Sequence, residues 1–167
     1  QMLGIAGKGA VMDAYVSTNA FDVLMTPYNV HSDWTMRNRI RAAVERDMAV
    51  ITYDHFPDSL SSLKKVEALD GQKRGLFGFG KPSSPAKDDY FKGVGTFAFL
   101  HQTANWSPEE ICMAYALSEP TLASVLIDTA DSRMLEKLAD LPDRDMPPGM
   151  AAQIEMARVN MATARSA

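Results

Sequence analysis

Tyr53, Asp54, His55 and Phe56 follow one another at the end of the apolar run 49–53. If that run is a strand, Tyr53 stands at its carboxyl end, where parallel α/β enzymes place their chemistry. The plainer role for Tyr53 is a half-buried aromatic closing a strand. A two-histidine, one-carboxylate metal site could draw on His31, His55 and either Asp54 or Asp128. No ligand spacing supports it, so solvated loop histidines are favoured, and His101 is read as structural. The stretch Gly75-Leu76-Phe77-Gly78-Phe79-Gly80-Lys81-Pro82 nearly spells a phosphate-binding loop. Pro82 stands where the magnesium-binding Ser or Thr belongs, and no buried strand precedes it. A loose loop carrying Phe77 and Phe79 is the favoured reading, with a partner-binding patch or a lid as alternatives. Arg37, Arg39, Arg41 and Arg46, balanced by Glu45 and Asp47, read as a solvated helix face.

The elements that would hold these residues can be traced along the chain. Residues 21–57 read as strand, helix, strand. Val23, Leu24 and Met25, then residues 49–53, form short apolar runs of the kind a parallel sheet buries. Between them Met36, Ile40, Ala43 and Val44 recur at helical spacing, with Ser32 or Asp33 as the cap. Ahead of this unit, residues 2–6 predict a strand. Val11, Ala14 and Tyr15 predict the inner face of a short helix, and Asn19 its left-handed stop. Farther on, Ser107, Pro108 and Glu110 form a capping box, the clearest helix start in the sequence. Ile111, Ala114, Tyr115 and Leu117 would be its apolar side. Residues 122–127 predict a fourth strand. Asp131 or Ser132 caps a helix with Met134, Leu135 and Leu138 inward, and a last helix spans about 150–162. Four strands, each followed by a helix, make a (βα)4 series. An open doubly wound sheet or half of a (βα)8 barrel would both produce it.

Between the third strand and the capping box, residues 58–95 are rich in Gly, Pro and Lys. They read as an inserted loop, disordered or loosely packed. The whole of 1–167 is otherwise expected to be one domain. A net charge of −4 argues against a general nucleic-acid or anionic-membrane surface. No apolar run approaches a membrane span. Cys112, the lone cysteine, allows no internal disulfide, and a cytoplasmic setting is expected. The chain opens on Gln1 rather than Met, which suggests a processed product or a piece of something longer.

The series Leu3-Gly4-Ile5-Ala6-Gly7, then residues 21–29, 49–57, 107–127 and 131–138, resembles the aldo-keto reductases. The resemblance spans nearly the whole chain apart from 58–95, and it corresponds to strands five to eight of that family's barrel. It implies a TIM barrel that binds NADPH and passes hydride to a carbonyl. It also implies that only the carboxyl-terminal half is present. The family's catalytic Asp, Tyr, Lys and His belong to the first half, so no residue of this sequence takes a catalytic role, and none is assigned to a metal.

Carried over position by position, the resemblance implies cofactor contacts at Tyr53, Thr129, Asp54, Phe56, Met25, Ala6 and Gly7. Tyr53 keeps the ring that would stack on the nicotinamide, and Thr129 keeps a hydroxyl. Ala6, Gly7 and Met25 stand where the family uses polar side chains for the carboxamide. Asp54, His55 and Phe56 occupy the loop that would meet the pyrophosphate, and an aspartate is unfavourable there. Asp128, Met134, Lys137 and Leu138 replace residues that would hold the 2′-phosphate and the adenine. Two functions follow. One is an aldo-keto-reductase-like oxidoreductase acting on small carbonyl or alcohol substrates, inactive as this half alone. The other is a cofactor-free domain serving as a scaffold or partner-binding module. In either case the outer strands, near 2–6 and 122–127, would lie open. They would pair with a missing amino-terminal half or with another copy.

Overall fold

The computed structural model describes residues 1–60 and 95–165, with side chains from 97 to 163 in the second segment. The expectations for the rest of the inserted loop, including the stretch 75–82, lie outside the described residues. Among the described residues four strands form one parallel sheet in the order β1 (Gly4–Ala6), β2 (Val23–Pro27), β3 (Ala49–Tyr53), β4 (Ser124–Val125). Helices α1 (Val11–Ser17) and α2 (Trp34–Val44) follow the first two strands. A 3-10 segment (Gly95–Gln102) leads into α3 (Pro108–Leu117) ahead of β4. After β4 come α4 (Ser132–Ala139), a 3-10 turn (Leu141–Asp143) and α5 (Met150–Arg165). No helix among the described residues is long and apolar enough to cross a membrane.

The strand register separates two faces, because successive side chains point to opposite sides. Ile5, Leu24 and Val50 share one row, and Thr26, Thr52 and Val125 the next. Leu24, Thr26, Val50 and Thr52 are all buried, and Thr26 Oγ1 lies 3.3 Å from Met36 Sδ on α2. This is the helix-covered face. The other rows are Gly4, Val23 and Ala49; Ala6, Met25, Ile51 and Ser124; then Pro27 and Tyr53. None of those residues is buried.

The helices pack for identifiable reasons. Asp33 caps α2, its Oδ1 accepting the Met36 N–H at 2.9 Å. Ser107 and Glu110 close the expected capping box, at 3.2 and 2.7 Å. Burial alone would push the Glu110 carboxyl up; hydrogen bonds from Ser107 and Arg144 outweigh it and hold the group below its ordinary value. Every residue of α3 from Glu110 to Ala116 is buried, Cys112 among them. The thiol of Cys112 is pushed well above its usual range by burial and by the charge of Glu109. The helix is therefore central, with no solvent face between Glu110 and Ala116. Tyr115 stacks on Tyr28, ring centroids 6.1 Å apart, and its hydroxyl donates to Glu155 Oε1 at 2.5 Å. Arg37 joins the same carboxylate at 2.6 Å, and Arg158 reaches its other oxygen at 2.7 Å. This cluster pins α5 across α2 and α3.

Several expectations require correction. On α1, Val11 and Tyr15 are exposed and Met12 and Val16 face inward. The pattern i, i+4 fits either pair, and the flexible Met12 fills the gap beside Gly7. Arg39 is no solvated residue: its side chain is 3% exposed, paired with Asp13 at 2.6 Å. Arg37 is likewise tied into the Glu155 cluster. Leu135 on α4 is exposed while Leu138 is buried. The fourth strand is two residues long, and the first begins at Gly4, leaving Met2 and Leu3 exposed. Residues 95–102 settle as a 3-10 segment with Phe97 and Leu100 buried. Asn19 does adopt the left-handed conformation, with φ 57°.

Candidate functional site

The carboxyl ends of the four strands open onto one cleft of about 990 Å3. Ala6, Met25 and Tyr53 line its floor, all from the face that the helices leave uncovered. Gly7 continues the floor, its N–H donating to Met25 O at 3.0 Å. A Cβ at Gly7 would lie 2.8 Å from Met12 Sδ, so a larger residue there must displace that methionine tip. Beyond β3 the chain turns sharply at Asp54, which is left-handed at φ 59°, a conformation that Asp tolerates better than most residues. Asn29 secures this turn: its Nδ2 donates to Asp54 O at 2.9 Å, and its Oδ1 accepts the His31 N–H at 2.9 Å. Asp54, His55 and Phe56 thereby form one wall, and Leu126, Ile127 and Asp128 the opposite one.

Six of the seven residues that the resemblance marks for the cofactor meet in this cleft. The seventh, Thr129, is not among the lining residues; its Oγ1 accepts the Asp131 N–H at 3.2 Å. His31 is also elsewhere. Its Nε2 meets Ser59 Oγ at 3.0 Å, and its ring stands edge-on to Phe97. Among the described residues no group of three His, Cys, Asp or Glu side chains stands where it could hold a metal ion. Asp58 and Glu109 complete the lining and escaped the sequence reading. Glu109 belongs to the first turn of α3, where an acidic residue is expected simply to complement the helix end. Only the fold reveals that this turn borders the cleft.

The electrostatics of the cleft are acidic. Asp54, Asp58, Glu109 and Asp128 line it, and no Lys or Arg is among the described lining residues. Burial raises the Asp54 carboxyl, the charge of Asp58 raises it further, and Lys8 opposes them. His55 is 8% exposed in its side chain, and burial lowers its pKa, favouring the neutral ring. Its Nε2 lies 4.0 Å from Glu109 Oε1, beyond hydrogen-bond reach.

No protein-family model matches the sequence, and no curated protein matches it either. The fold does have solved counterparts. The chain is similar to the holo form of the aldo-keto reductase AKR11C1 from Bacillus halodurans, with a TM-score of 0.56 and 11% identity. The match covers 92% of this chain and 49% of that one, so the chain spans about half the length of the enzyme. The parallel α/β series thus shares the fold of part of that TIM barrel. The cleft lies at the carboxyl ends of the strands, the end on which TIM barrels build their sites.

Proposed function

We propose that the chain forms the carboxyl-terminal half of an aldo-keto-reductase-like oxidoreductase acting on carbonyl or alcohol substrates. The observation that carries this reading is the convergence of Ala6, Met25 and Tyr53, the ends of three neighbouring strands, on one cleft in a fold shared with such an enzyme. The acid–base residues of the reaction would belong to the other half.

NADPH is the cofactor that the family would use, and one contact suits it. The Tyr53 ring borders the cleft and can stack on a flat nicotinamide. The remaining described lining does not fit. Ala6, Gly7 and Met25 offer no side-chain hydrogen bond to a carboxamide. Asp54 and Asp128 on the lining put negative charge where a pyrophosphate would lie. This mismatch favours a second reading, a cofactor-free barrel half that serves as a scaffold or binding module.

Fluorescence titration with NADPH separates the two. Micromolar binding that Tyr53→Ala weakens about tenfold, the loss of one aromatic stack, supports the oxidoreductase reading. Absence of binding at millimolar NADPH supports the cofactor-free module. Binding indifferent to Tyr53→Ala removes the stacking role.

A further inference from the structure

His55 is a buried group of the cleft that the proposed function does not use. Its side chain is 8% exposed, and its Nε2 has no hydrogen-bond partner. A buried polar nitrogen left unpaired costs free energy, so this wall suits a ligand that supplies a donor. Nε2 faces Glu109 Oε1 at 4.0 Å, and both residues line the cleft. Phe56 and Asp58, from the same segment as His55, line it too.

We propose that this wall is a binding site for a primary organic ammonium group, held between His55 Nε2 and the Glu109 carboxylate. The spacing of the two acceptors fits that group. A nitrogen about 2.8 Å from each would see them roughly 90° apart, near the spread of the N–H bonds on an ammonium. A carboxylate accepts several hydrogen bonds, so Glu109 takes this one beside its existing contacts. Its side chain is 19% exposed, which gives the carboxylate room to shift and admit the nitrogen. Burial keeps the His55 ring neutral, and a donor at Nε2 selects the tautomer with its proton on Nδ1. Charge selects a cation over a neutral donor. Glu109 and Asp58 both border the cleft, and the field of Asp58 is felt as far as Asp54. Lys8 opposes that field at Asp54, which places the ammonium toward Glu109. A metal ion is a poorer match, since no three ligating side chains converge among the described residues. Phe56 offers apolar surface to the stem that carries the ammonium, and Tyr53 stays available for a flat ring. The site itself needs no cofactor. Resting on the oxidoreductase reading, it makes the substrate a carbonyl or alcohol that also bears an amine.

Calorimetric titration of the cofactor-free protein with benzylamine, protonated at neutral pH, tests the site apart from NADPH. Benzylamine should bind with a dissociation constant of about a millimolar or tighter, and the ring nitrogen signals of His55 should shift in NMR spectra. Benzyl alcohol lacks the charge and benzyltrimethylammonium lacks the N–H donors, so each should bind at least about tenfold more weakly. Glu109→Gln keeps the shape and removes the charge, and it should weaken benzylamine about tenfold. No binding of benzylamine at about 10 mM overturns the proposal. So does equal affinity for either control compound. So does a Glu109→Gln variant that binds as well as the parent protein, or a His55 signal that stays still while benzylamine binds. Because NADPH is absent throughout, failure here leaves the oxidoreductase reading to be judged by its own titration.

Discussion

His55 couples the cleft to acidity. Its ring is buried, and burial holds its pKa below the ordinary 6.5. Below that ordinary value the unfolded chain takes up a proton that the folded protein resists. The His55 contribution to stability is therefore present at neutral pH and is lost as pH falls below about 6.5. His55→Gln should flatten the fall of melting temperature between pH 7.5 and 5.5; an unchanged slope would mean that another group governs it. At this scale the sequence was informative where a residue's role follows from its strand. The place of Tyr53 at the cleft was legible because it ends an apolar run, whereas Ala6 and Met25 were placed there only by the resemblance. Asp58 and Glu109 were not legible, because each reaches the cleft from a segment whose direction is fixed only by tertiary packing.

Among the elements, α1 and α2 are joined by the Asp13–Arg39 pair, with bonds of 2.6 and 3.2 Å. Arg39 is buried while Asp13 is 43% exposed, so water screens only one partner. Asp13→Ala strands a buried guanidinium and should cost about 2 kcal/mol in chemical denaturation, reduced from the cost of a fully buried pair by that screening. Adding Arg39→Met should recover most of the loss, since an apolar chain suits the same space. A double variant less stable than Asp13→Ala would refute this account. The pair explains why the arginine run was misread: helical spacing shows which face a residue is on, but the partner that makes burial tolerable lies 26 residues away. The α3 start was readable for the opposite reason. Ser107 and Glu110 satisfy one another three residues apart, without tertiary help. The β4 strand was overestimated: only Ser124 and Val125 pair with β3, and the apolar run around them is not buried, with Leu126 44% exposed.

For the molecule as a whole, strand order and direction were recoverable from the spacing of apolar runs and from the need for helical crossovers between parallel strands. The covered face was not: the runs read as strands buried on both sides, whereas only Leu24, Thr26, Val50 and Thr52 are buried. The acidic character of the cleft was only half visible in Asp54 and Asp128, and became evident when three separate segments met. The burial of α3 on every side gives the chain a built-in clock. Cys112 lies in the middle of that helix with no accessible surface and a thiol held protonated. A thiol reagent can reach it only while the helix is open, so the labelling rate measures how often the core comes apart. In native buffer Cys112 should react at least about a thousandfold more slowly than a free thiol, and denaturant should close that gap. Labelling within seconds in native buffer would mean that α3 opens independently of the core. The single thiol is thus a stopwatch for breathing motions, readable by mass spectrometry without any introduced probe.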